Sequence, residues 1–148
     1  MRYAARVADE RDSVDEKLNE GRRLLERGDW VHALELFGVV LEASPSDARA
    51  RAGESAAHWL MDLEVMANQG ESLNGEVIAS GQRIANQQLE LSAPRVALRV
   101  LQVCFRHDSR DPKTLELLAR AFDALGQPDK AAVVRQELRG STNNALKN

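Results

Sequence analysis

The sequence predicts an all-α fold, a right-handed stack of about seven antiparallel helices. Three observations carry this. Helix-forming Ala, Leu, Glu, Arg and Gln fill nearly every segment. Apolar residues recur at three- and four-residue steps, and no run alternates apolar with polar long enough for a strand. Breakers punctuate the chain at intervals: Gly28-Asp29, Ser44-Pro45-Ser46, Gln69-Gly70, Ser92-Ala93-Pro94, Asp108 to Pro112 and Gly126-Gln127-Pro128.

The first helix is expected from Ser13, because Ser13-Val14-Asp15-Glu16 fits a capping box in which hydroxyl and carboxylate satisfy free amides. Leu18, Leu24 and Leu25 form its stripe, and Gly28 ends it. The second spans Trp30 to Ala43, with Leu34, Phe37, Val40 and Leu41 on one face; Pro45 prevents continuation. The third covers Asp47 to Asn68, with Ala52, Ala56, Trp59 or Leu60, Leu63 and Met66 as its stripe. A loop from Gln69 to Asn74 leads to a polar fourth helix, Leu73 to Leu91, interrupted by Gly81. The fifth, Pro94 to Arg106, is strongly apolar through Val96, Ala97, Val100, Leu101, Val103 and Cys104. Asp111-Pro112 opens the sixth, as N-cap and first helical residue, and Leu115, Leu118, Ala119, Phe122 and Leu125 follow. The seventh runs from Pro128 to about Leu138. This divides the chain into an extension, 1–12, one helical domain, 13–139, and a flexible tail, 140–148.

At 148 residues the chain is long enough for one core without staples. A formal charge of −3 argues against a nucleic-acid partner, which wants a basic face. The single Cys104 excludes a disulfide framework, and no apolar run approaches a membrane span. The start, Met1 to Asp9, lacks the apolar stretch of a secretory signal, so the expected compartment is the cytoplasm.

His32, His58 and His107 do not pair at metal-binding spacing, and the glycines form no phosphate loop, so no metal or other cofactor is expected. Cys104 sits in an apolar stripe, as a core cysteine does; a Cys104–His107 pair on one helix face is the nucleophilic alternative. The expectation is a non-enzymatic protein.

Two helix pairs share a pattern. Gly21, Leu24, Gly28 and Ala33 reappear as Ala119, Phe122, Gly126 and Ala131 at one constant offset, a little short of three repeats of roughly 34 residues. A small residue on the first helix admits the second, a bulky residue fills the gap, and a glycine makes the turn. Ala33 is thereby expected to meet Gly21, and Ala131 to meet Ala119. With Gly28-Asp29-Trp30, Phe37 and Pro45 in the first pair, and Leu118-Ala119 in the last, this resembles the tetratricopeptide repeat. The middle of the chain departs from the signature, so the implied fold is a helical superhelix with an irregular centre.

The resemblance implies a concave groove that receives a partner segment. Its inward positions are Asp15, Asn19 and Arg22 in the first unit and Lys113, Glu116 and Arg120 in the last. The Lys/Asn set that grips a C-terminal carboxylate in chaperone-binding members is not reproduced, which points to an internal helical or extended segment. Ordinary surface charge is the alternative for all of them. A second resemblance rests on Gly28-Asp29-Trp30, Ala33 to Leu36, Ser44 to Ala50 and Glu71 to Gly75. These look like the dimerisation domain of alkylsulfatase-type metallo-β-lactamase-fold hydrolases, and imply an accessory subunit without their His-x-His-x-Asp-His motif.

The last helix offers Val133 and Val134 beyond one stripe, with no further helix in sequence to cover them. They and Trp59 are candidate contacts for a homodimer. For Trp30 and Trp59 the core is the preferred alternative.

Overall fold

The computed structural model describes the backbone of residues 2–147 and the side chains of residues 13–140. Seven helices account for nearly all of it: α1 (Arg2–Arg27), α2 (Trp30–Ala43), α3 (Ala48–Asn68), α4 (Gly75–Glu90), α5 (Pro94–His107), α6 (Pro112–Ala124) and α7 (Pro128–Lys147). No strand occurs among the described residues. The chain divides into two compact units, Met1–Met61 and Asp62–Asn148, with the boundary inside α3.

Two helix ends differ from expectation. α1 starts at Arg2, so Ser13 to Glu16 lies inside a helix rather than capping one. Residues 2–12 contain four alanines or valines amid Arg and Glu and no breaker, so nothing in them stops a helix. Likewise α7 passes through Gly140 to Lys147, since an isolated glycine with no turn chemistry after it weakens a helix without ending it. The flexibility expected of the tail concerns residues that, beyond Gly140, lie outside the described side chains.

In the first unit α1 packs on α2, and Leu18, Leu25, Ala33, Phe37 and Val40 are fully buried. The Phe37 ring is enclosed by two glycines from different helices. A Cβ at Gly21 would stand 2.6 Å from Phe37 Cε1, and one at Gly53 in α3 would stand 2.5 Å from Phe37 Cζ. Gly21 therefore faces Phe37 first, rather than Ala33, because the ring reaches further than the Ala33 methyl. Gly53 lets α3 approach the other side of the same ring.

In the second unit α4 packs on α5 and reaches α6, α5 meets α6, and α6 pairs with α7. The core is Ile78, Ala85, Val96, Ala97, Val100, Leu101, Leu115, Leu117, Leu118, Ala121 and Ala131. Thr114 is buried and accepts from Gln82 Nε2 at 3.0 Å, tying α4 to α6. Gln88 is buried with only 2% exposed, and its Nε2 has no partner among the described residues.

The helix ends repeat one device. After α1, Asp29 N donates to Leu24 O at 2.9 Å and Gly28 N to Leu25 O at 3.2 Å. The same pair of bonds closes α3 at Gly70, α4 at Ser92 and α6 at Gly126. Each turn needs one left-handed residue: Gly28, Gly70 and Gly126 have φ of 86°, 71° and 71°, and Ser92 has 60°. Ser92 and Gly126 stand 34 residues apart, the separation that also relates the bonded pair Asn86 and Arg120. Measured by its turns, α4–α5 thus precedes α6–α7 by 34 residues with the same closing bonds. Its sequence hides this, because serine replaces the turn glycine and Gln88 stands where Phe122 stands in the next pair.

Gly53→Ala gains helix propensity of about 1 kcal/mol but drives a methyl into the Phe37 ring, an overpacking that costs about 1–3 kcal/mol. The net effect is a lower Tm, and adding Phe37→Leu to Gly53→Ala recovers part of it. Ser92→Gly removes a side chain from left-handed backbone, where a non-glycine residue costs roughly 1–2 kcal/mol. Part of that gain is offset by the greater freedom of glycine in the unfolded chain, so Tm rises by a few degrees in a thermal melt.

Candidate functional site

In the first unit, Asp15, Asn19 and Arg22 fall at three- and four-residue steps on α1, so one row of the helix carries all three. Asp15 and Asn19 are exposed and Arg22 is half-buried. Arg49 of α3 crosses to this row: its Nη1 donates to Asp15 Oδ1 at 3.0 Å, and its Nη2 to Asp47 Oδ2 at 3.2 Å. Asp47 is also the N-cap of α3, accepting from the Arg49 and Ala50 amides at 3.0 and 3.3 Å. Burial works to raise the pKa of Asp47, but the hydrogen bonds from Arg49 and the two amides prevail and hold it below the ordinary carboxylate value. Burial pushes Arg22 down from its ordinary value, the Arg49 guanidinium adds to this, and Asp47 opposes it. Much of the charge here is engaged in joining α1 to α3.

In the second unit, Lys113, Glu116 and Arg120 share the outer side of α6 and are exposed. Arg120 Nη1 donates to Asn86 Oδ1 on α4 at 2.9 Å. The Asp15–Arg49 bond and the Asn86–Arg120 bond span the same separation of 34 residues, and each joins a helix to the second one after it in the chain, α1 to α3 and α4 to α6. The sequence identified Arg22 and Arg120 but not Arg49, Asp47 or Asn86. Only the turn spacing could have located Asn86, and Asp47, expected as the first residue of the third helix, is instead its cap.

The other feature is an apolar groove of about 440 Å³ in the second unit. Leu98, Gln102, Phe105 and Arg106 of α5 form one wall, Leu118 and Phe122 of α6 the floor, and Val134 of α7 the other wall. Phe105 is 41% exposed. Lys130 Nζ stands 5.8 Å from the centre of the Phe122 ring, where the π face attracts a cation. Arg135 on α7 is paired with Asp123 of α6. Of the residues read from the sequence as interface, Val134 lines the groove and Val133 is 61% exposed on the same helix. Trp59 is buried at 8%, so its ring presents no exposed face. Sequence reading missed Leu98 and Phe105. Their seven-residue spacing is the signal: α5 has one stripe for the core and a second, Leu98 and Phe105, on another side.

Cys104 of α5 is fully buried, its Sγ 3.9 Å from the Ile78 carbonyl oxygen to which it donates. Burial, with a smaller contribution from the charge of Asp111, pushes the thiol up to about 12. His107 is exposed. A protonated, enclosed thiol is a poor nucleophile. His32 is exposed and sits at the start of α2, its Nδ1 2.7 Å from Asp29 Oδ2; that hydrogen bond raises its pKa and lowers that of Asp29. Among the described residues no three His, Cys, Asp or Glu side chains gather to hold a metal ion, and no helix is long and apolar enough to cross a membrane.

Comparison of the chain with protein-family models finds no matching family, and no curated protein matches it significantly.

The thiol gives a direct check. Because the folded state holds the Cys104 proton more tightly than the unfolded chain, this group favours folding below pH 9.0 and loses that contribution as pH climbs toward about 12. At neutral pH an aromatic disulfide reagent leaves the native thiol untouched and titrates one thiol per chain after unfolding in urea. In Cys104→Ala the alkaline loss of stability is smaller than in the wild type.

Proposed function

We propose that the chain is a tetratricopeptide-like module whose work is binding protein rather than catalysis. The observation that carries this is the groove of about 440 Å³, apolar on both walls and floor and edged by a 41%-exposed Phe105. An exposed aromatic beside an apolar cleft loses favourable burial for as long as the cleft stays in water. The groove takes a helical or extended segment, by the general mode in which an apolar helix face lies in a hydrophobic channel.

The repeat reading has separate support. Turns at Ser92 and Gly126 match in bonding and stand one repeat of roughly 34 residues apart. Helix pairs of this kind stack with neighbours and expose long continuous faces, which is the use most such arrays serve. The charged rows of Asn19 and Arg22, and of Lys113, Glu116 and Arg120, contribute orientation and on-rate more than affinity, since exposed ion pairs are weak.

Tagged chain incubated with extract of its native host retains a protein that also binds in purified form. Phe105→Asp, which folds normally by circular dichroism, weakens that binary affinity by at least about tenfold, or 1.4 kcal/mol. Identical binding by both forms removes the groove from the function.

A further inference from the structure

We propose that the groove of the second unit is the docking site for the outer face of α2 from a second copy of this chain. The inference rests on the protein-binding reading above and names the partner.

The two surfaces differ in charge. α5, Pro94–His107, contains Arg95, Arg99 and Arg106 and not one acidic residue. Arg106 lines the groove, and Arg95 is eleven positions earlier, on the same side of the helix. Asp123, the acidic residue that follows Phe122 in α6, is engaged by Arg135. The α5 wall of the cleft is therefore apolar with a cationic flank.

α2 is the complement. Its sequence from Trp30 to Ala43 holds Glu35 and Glu42 and no Lys or Arg. Its one titratable base, His32, is tied to Asp29. Val31 and Val39 are 58% and 44% exposed, and with Glu35 and Glu42 they fall on a single face of the helix. Five large hydrophobic side chains stand out as exposed among the described residues: two are on this face, one is Phe105 and one is Val133, next in sequence to the groove residue Val134. The two surfaces match in kind, apolar with carboxylates against apolar with guanidiniums.

Gly38 adds an independent observation. It sits mid-helix on the same side as Val31 and Glu42, where glycine weakens a helix. Apart from its own stretch of helix, no described residue lies within 4 Å of where its Cβ would be. Among the described residues no crossing accounts for the missing side chain, in contrast to Gly21 and Gly53. A bulky group from outside, such as the protruding Phe105, can settle against the bare backbone there.

The test uses light scattering and sedimentation of the whole chain at micromolar concentration. Wild type gives a mass above the 16.4 kDa of one chain. The double variant Glu35→Lys with Glu42→Lys is monomeric, and so is Arg95→Glu with Arg106→Glu. An equimolar mixture of the two variants associates again, because reversed charges meet reversed charges and native surfaces meet native surfaces. Gly38→Leu dissociates the assembly without lowering Tm. A monomeric wild type, charge-reversed variants that keep the wild-type mass, or a mixture that stays monomeric each overturns self-docking. If the wild type is monomeric while capture of a host protein still depends on Phe105, self-docking alone falls and the binding reading stands.

Discussion

The first unit depends on how closely three helices can approach one phenylalanine. Phe37 has no room for a methyl on either side: α1 meets the ring at Gly21 and α3 meets it at Gly53. A buried ring contributes more apolar burial than any other side chain in this unit's core except tryptophan, and close-packed interiors do not absorb an extra carbon easily. The two glycines sacrifice helix propensity for that fit. Alanines at Ala33, Ala50, Ala52, Ala56 and Ala57 continue the theme, since all are buried and none holds its neighbour away.

The connections follow from a second constraint. A helix closed by this pair of backbone bonds places one residue just past its end in the left-handed region, which glycine occupies at no steric cost. Three of the four such turns use glycine and the fourth uses Ser92. The bonds at all four are the same, so the geometry is set by the reversal and the packing behind it, not by the residue. Tertiary packing of α4 against α5 and α6 holds Ser92 in a conformation its own chemistry resists.

Electrostatics divide between fold and surface. Arg49, Asp47 and Asp15 are engaged with one another, and Arg120 with Asn86, so several charges that the sequence offers for binding are spent on joining helices. The apolar cleft flanked by Arg106 differs in that its polar and apolar groups face outward together. Recognition in general draws its energy from apolar burial and its orientation from charge, and among the described residues α5 and α2 carry exposed groups of both kinds.

Local chemistry determined much of this protein from sequence alone. Helix periodicity, the Gly28, Gly70 and Gly126 stops, the Asp111-Pro112 start and the all-α class were legible because each depends on residues a few positions apart. The starts and ends that lacked a breaker, at 2–12 and beyond Gly140, were misread for the same reason: continuation leaves no mark. What only the tertiary structure decided involves partners far apart in the chain. Gly53 reads as one more small residue until Phe37 stands against it. Ser92 reads as polar loop until its φ places it with the turn glycines. Trp59 reads as core or as interface from the sequence, with core the preferred reading, and packing buries it. Leu98 and Phe105 form a cleft only once α6 and α7 supply its floor and far wall.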